Sequence, residues 1–148
     1  MIFYGKVLKS RTGGPPHETE ILRLNPQRAR RILMTTGWPR LQAGSFNLDV
    51  DKSVVVGLGA LSPFFHESGD ELIYPEGPYK DIPLLRQGYL YYRGVASKDV
   101  HNAAVLVRRA INPLDRVVEL FAAVQLRDEL DVGDRDDVKV CVYVTSSS

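Results

Sequence analysis

Short runs of β-forming residues, each closed by Gly, Pro, Asn or Asp, recur along the whole chain, and only one stretch carries a full set of helix signals. The runs are residues 2–9 ("IFYGKVLK"), 19–24 ("TEILRL"), 44–50, 53–58 ("SVVVGL"), 88–97 ("GYLYYRGVAS"), 103–109 ("AAVLVRR"), 117–123 ("VVELFAA") and 138–144 ("VKVCVYV"). Each is read as a strand. In the last of them Val138, Val140, Val142 and Val144 fall on one side and Lys139, Cys141 and Tyr143 on the other. The helical stretch is "NPQRARRILMTTGW". Asn25 suits an N-cap, Pro26 the first helical position and Gly37 the position just past the end, which predicts a helix over residues 26–36. "VQLRDEL" has room for one or two helical turns before "DVGD" stops them. Between about 60 and 88, prolines and glycines predict short strands joined by long loops. Many short strands with so little helix argue for a mainly β fold, a barrel with decorations.

At 148 residues the chain is long enough for one domain with a real core. A single domain over residues 1–145 is expected, with 146–148 a frayed tail. The net charge of +1 gives no global pull toward nucleic acid or membranes. Cys141 is the only cysteine, so neither an intrachain disulfide nor a cysteine-rich zinc site can form. The first residues do not read as a signal peptide, and no apolar run approaches the ~20 residues of a membrane span. A cytoplasmic protein is expected.

Several groups of residues are candidates for chemistry. Ser45 and Asn47 lie two apart in an extended run, so both side chains aim at one side while Phe46 turns to the other. Gly44 beside them permits close approach of a ligand or another backbone. They serve either a turn or a ligand. Gly13 and Gly14, with Ser10, Arg11 and Thr12, form a loop whose N–H groups suit a phosphate, or else an ordinary tight connection. His17, His66 and His101 show no metal spacing. Glu119 stands among apolar residues and is either outward-facing or a general base lining a pocket. Arg28, Arg30 and Arg31 give the helix a basic face, read as solvated, with a phosphate or nucleic-acid contact as the other option.

Taken in order, "GKVLKSRTGG", "AGSFNL", "ELFAA", "QLRD" and "LDVGDRDDVKVCV" resemble the archaeal CTP-dependent riboflavin kinase family. That family has a Gly-rich loop after its first strand, a Pro-Gly-Thr-x-Asn-Leu motif after a helix, and a late Glu-x-x-Ala-Pro followed by Lys-Leu-Arg-Glu. The likeness runs over residues 5–56 and 103–144, and does not extend to 57–102. It implies a small, closed, six-stranded cradle-loop barrel with one main helix and a short helical turn. It also implies phosphoryl transfer from CTP to riboflavin, giving CDP and FMN.

Carried over residue by residue, Ser45 and Asn47 would hold the Mg²⁺ that bridges the nucleotide phosphates. Ser10, Arg11, Thr12, Gly13, Gly14 and Pro15 would surround those phosphates, and Gln125, Leu126, Arg127 and Asp128 would also face the nucleotide. Glu119 would sit at the flavin ribityl chain as proton acceptor, and Asn112 would lie at the flavin phosphate. The pattern is altered in places. Arg11 and Pro15 stand where the family loop has glycines, Ile111 stands where it has a threonine, and Gln125 replaces a lysine. Two further readings use the same barrel: a non-catalytic member that binds a nucleotide, flavin or other small ligand, and an interaction module that uses the Arg-rich helix for nucleic acid or protein. No membrane partner is expected, and the small net charge argues against nucleic acid, duplex DNA above all.

Overall fold

The computed structural model describes residues 1–8, 26–42, 46–67, 88–109 and 116–143. The expected strand at 19–24, the Asn25 cap, the loop residues Ser10 to Pro15, Ser45, Asn112 and the C-terminal tail lie outside them.

Among the described residues there are seven strands: β1 (Ile2–Val7), β2 (Phe46–Asp49), β3 (Phe65–Glu67), β4 (Tyr89–Lys98), β5 (Val100–Arg109), β6 (Val117–Phe121) and β7 (Asp137–Val142). All pairings are antiparallel. The order β4-β5-β6-β2-β1-β7 closes when β7 returns to β4, so six strands make a barrel and β3 lies outside it. Strand β4 serves both purposes along its length. Its first half pairs with β3 through Tyr89 to Tyr91, and its second half with β7 through Gly94 to Ser97. Asp99, with φ of 70°, turns the chain from β4 into β5.

Alternation fills the barrel. Phe3 and Val7 of β1, Leu48 of β2, Tyr92 of β4, Leu106 of β5, Val118 and Leu120 of β6, and Val138, Val140 and Val142 of β7 all point inward and are buried. Small residues offset these large ones. Gly94, Ala96 and Ala104 face the same interior where β4 approaches β5 and β7. At Gly94 a Cβ would lie 2.5 Å from the carbonyl oxygen of Cys141 and 3.1 Å from Leu106 Cδ1. Alanine at this position is therefore expected to cost about 1–3 kcal/mol, the usual penalty for overpacking. A lowered urea midpoint checks it, and an unchanged midpoint would mean that β7 moves away freely.

The helix α1 (Pro26–Thr36) has the bounds its sequence signals predict. Gly37 ends it in the left-handed region, at φ of 72°, and donates its N–H to the Leu33 carbonyl. Ala29 and Ile32 bury one face against the outside of the barrel, on Tyr89, Tyr91, Val105, Val107 and Phe121. The short turn α3 (Leu126–Glu129) also falls where expected.

The run "SVVVGL" is not a strand; it forms the helix α2 (Lys52–Ala60). Its β-branched residues favour a strand locally, but burial decides otherwise. Val54, Val55 and Leu58 pack into the barrel core while Val56 faces solvent, a spacing that a period of two cannot give. Side chains from the barrel satisfy carbonyls near the helix end. Tyr92 donates its hydroxyl to the Leu58 carbonyl (2.6 Å), and Arg108 donates from Nη1 to the Val55 carbonyl (3.3 Å).

Candidate functional site

Strand β2 pairs with β6 so that Asn47 stands directly opposite Glu119. Opposed residues of antiparallel strands share a face, with Cβ atoms about 4.5–5.5 Å apart. Leu48 and Leu120 point into the barrel, so Asn47 and Glu119 point outward together, each half-buried. The expected metal ligand and the expected proton acceptor are thus neighbours, although the described chain between them includes one helix and three strands. Glu119 points away from the barrel interior, beside Val107 on the face against which α1 packs.

The Asn47 side chain has a chemical peculiarity. Its Oδ1 is buried and accepts no hydrogen bond among the described residues. A buried acceptor left unpaired costs roughly 1–3 kcal/mol, so this oxygen suits a donor or a hard cation brought by a ligand. Among the described residues no group of three or more His, Cys, Asp or Glu side chains is gathered for a metal. A cation at Asn47 would rest on neutral oxygens and on the oxygens of its ligand.

Backbone and side-chain bonds tie this pair to the other expected positions. Leu8, at the end of β1, donates its N–H to the Asn47 carbonyl (3.0 Å). The Leu8 carbonyl in turn accepts from Arg127 Nη2 (2.9 Å). Arg127 Nη1 donates to Asp134 Oδ1 (2.9 Å), which fixes the guanidinium between β1 and the turn after α3. That turn is held by Asp136, whose Oδ2 accepts the Gly133 N–H (2.8 Å). This bond, then the nearby Lys98 ammonium, lowers the Asp136 pKa. Arg127, Leu8, Asn47 and Glu119 therefore form one contiguous chain of contacts. The four residues Gln125 to Asp128 do not act alike. Gln125 and Asp128 are exposed, whereas Leu126 packs in the barrel core, so any contact from it to a ligand runs through its backbone.

The basic face of α1 is not the solvated face that its sequence suggests. Arg30 is exposed, but Arg28 is buried. Its Nε donates to the Tyr91 hydroxyl (2.9 Å), and its Nη2 lies 3.5 Å from Glu67 Oε1. Tyr91 donates its hydroxyl to Glu67 Oε2 (2.9 Å), which closes a buried triad joining α1, β3 and β4. The Arg28 guanidinium also lies over the Tyr89 ring, 4.3 Å from its centre, and Arg31 lies 3.4 Å over Phe65. Two arginines offered for phosphate or nucleic acid are thus spent on packing. Glu67 and Tyr91 carry no sequence signal for this role, because an acid and a phenol in strands read equally well as surface residues.

Burial, with the Glu67 carboxylate adding to it, holds the Tyr91 phenol far above its ordinary range, although Arg28 opposes the shift. The sign follows from linkage. The folded state keeps a proton that the unfolded chain gives up above pH ~10, so stability falls as pH rises past that point. The melting temperature is expected to drop there, and Tyr91→Phe should flatten the alkaline slope. An equal slope in both proteins would assign it to other groups.

Comparison of the chain with protein-family models gives no match, and comparison with curated proteins gives none either.

Proposed function

We propose that this chain is a riboflavin kinase-like protein, transferring the terminal phosphoryl group of CTP to riboflavin to give CDP and FMN. The observation that carries the reading is the pairing of Asn47 with Glu119 on one outward face, bonded through Leu8 to Arg127. In this reading Glu119 accepts the proton of the ribityl hydroxyl as that oxygen bonds to phosphorus and the bond to the β-phosphate oxygen breaks. Asn47 Oδ1, with Ser45, would hold Mg²⁺, which neutralises charge on the phosphates. Positioning supplies most of the rest, since phosphoryl transfer asks little covalent chemistry of the protein.

A second reading is a non-catalytic barrel that binds a nucleotide, a flavin or another small ligand. It draws on Arg127, whose guanidinium is already engaged by Asp134 and Leu8, and on Leu126, whose side chain belongs to the core.

Incubation of the protein with riboflavin, Mg²⁺ and each nucleoside triphosphate separates the two. FMN formed with CTP supports the kinase. Calorimetric binding of CTP–Mg²⁺ without any FMN supports the second reading, and neither product nor binding ends both for CTP. Arg11→Gly refines the result. If Arg11 donates to phosphate, its loss should weaken nucleotide binding by about 1.5–3 kcal/mol. Tighter binding in the variant would mean that Arg11 fills the phosphate space instead.

A further inference from the structure

On the side of the barrel formed by β1, β7 and β4, the outward residues make a pattern that the proposed phosphoryl transfer does not use. Tyr4 is 63% exposed and stands opposite Lys139 in the β1–β7 register. Tyr143 is 52% exposed, and it follows Val142, which pairs with Gly94, so it stands opposite Arg93. The Tyr143 N–H donates to the Arg93 carbonyl (2.8 Å), in keeping with that register. Each exposed phenol therefore has a cation as its cross-strand neighbour. Between the two pairs lies an apolar step, where Ile2, itself 60% exposed, stands opposite Cys141.

Charge on this face is one-sided. Lys139 and Arg93 are exposed and form no ion pair among the described residues. The nearest outward carboxylate on β7, Asp137, is taken by Lys6 at 3.1 Å. Tyr4 stands opposite Lys139, four residues from Tyr143 along β7, so along the strand direction the two rings are about 14 Å apart at the usual rise of a strand. An antiparallel face with two ring surfaces, each beside a cation, matches a polyanion whose monomers carry exposed aromatic faces.

We propose that this face binds single-stranded nucleic acid, with bases stacked on Tyr4 and Tyr143 and adjoining phosphates at Lys139 and Arg93. A duplex is excluded by the same geometry, because its bases show no free face to a tyrosine. The site is separate from the Arg-rich helix, whose Arg28 is buried on the face that Val105 and Val107 cover. With a net charge of +1 there is no long-range attraction, so binding depends on contacts at the face.

The test is fluorescence anisotropy with labelled single strands of about 10 nucleotides, DNA and RNA, a length that one small barrel can cover. A duplex and heparin serve as further arms. Binding of a single strand should quench tyrosine emission. Two phosphate contacts predict a slope of log K against log salt of about −1.4, at ~0.7 per phosphate. Tyr4→Ala and Tyr143→Ala should each weaken binding roughly fivefold to 150-fold, the range for loss of one stacked base. Lys139→Ala should weaken it and make the salt slope shallower. Far-ultraviolet circular dichroism of these exposed-site variants shows that the barrel is retained. No binding at low salt overturns the proposal, and so does affinity unchanged from that of the unaltered protein in both tyrosine variants, or heparin bound as tightly as the single strand. Self-association that is lost in Tyr4→Ala would overturn it too, by assigning the face to a second copy of the chain.

Discussion

Glu67→Ala is expected to lower the stability of the protein by about 3–5 kcal/mol, the cost of removing one partner from a buried ion pair. The carboxylate is almost wholly buried, at 1% exposure, and it accepts from both Tyr91 and Arg28. Its loss leaves the Arg28 guanidinium in the same low-dielectric place without its carboxylate partner. The Tyr91 hydroxyl, which donates to Glu67, loses its acceptor as well. Against a typical total of about 5–15 kcal/mol, this is a large fraction. Glu67→Gln separates charge from shape. The amide keeps an acceptor for Tyr91, so its loss should be smaller than that of alanine, with the charge on Arg28 accounting for what remains. Urea denaturation measures both. Strand β3 has only three register pairs to β4, so hydrogen exchange should also quicken there first. A loss under about 1 kcal/mol for Glu67→Ala, the range of surface pairs, would mean that water reaches the triad.

The triad also marks where reading a sequence stops. Helix α1 is legible because its signals are local: Pro26 fixes the start and Gly37 supplies the positive φ at the stop. The strands β4, β5, β6 and β7 are legible because each is a local run of β-forming residues, and in β7 the alternation of burial also follows the order of residues. Helix α2 is not. Three consecutive valines favour a strand, and the preference is reversed by a barrel end that needs Val54, Val55 and Leu58 together on one side. Arg28 fails for a related reason. A guanidinium three residues from another looks solvated until Glu67 and Tyr91 arrive from strands far along the chain. No local pattern encodes that meeting.

The candidate site divides in the same way. A period of two is enough to place Asn47 and Phe46 on opposite faces, and the structure agrees: Phe46 packs against the barrel core and Asn47 points out. That Asn47 faces Glu119 needs the β2–β6 register, which rests on Leu48 and Val118 sharing the interior. The apolar alternation of two separate runs sets that register, and a slip of one residue would turn Glu119 into the core. The resemblance implies a metal role for Asn47 and a proton-acceptor role for Glu119; what the barrel shows is that the two residues stand opposite one another. The engagement of Arg127 with Asp134 and the Leu8 carbonyl has no counterpart in the sequence pattern, since "QLRD" shows only that a cation is present.

In the kinase reading, Glu119→Gln is expected to lower the rate of FMN formation by about 10²–10⁴-fold, the contribution of a positioned general base. Glutamine keeps the length and the hydrogen-bonding oxygen but cannot take the hydroxyl proton. The loss should fall on kcat, with KM for riboflavin nearly unchanged, because an interaction confined to the transition state is what disappears. Stability should hardly move: Glu119 is half-buried on the outer face and stands between Asn47 and Val107 in the sheet. Asn47→Ala gives the contrast. It removes an unpaired buried acceptor, so it should leave the fold intact or steady it slightly. In the kinase reading it should nevertheless weaken nucleotide binding, and raised Mg²⁺ should restore part of the loss. Calorimetry with CTP–Mg²⁺ then separates the two residues: Asn47→Ala loses affinity, and Glu119→Gln keeps it while losing turnover. If Glu119→Gln turns over at the rate of the unaltered protein, positioning and charge carry the whole reaction, and the carboxylate opposite Asn47 is only a solvated strand residue.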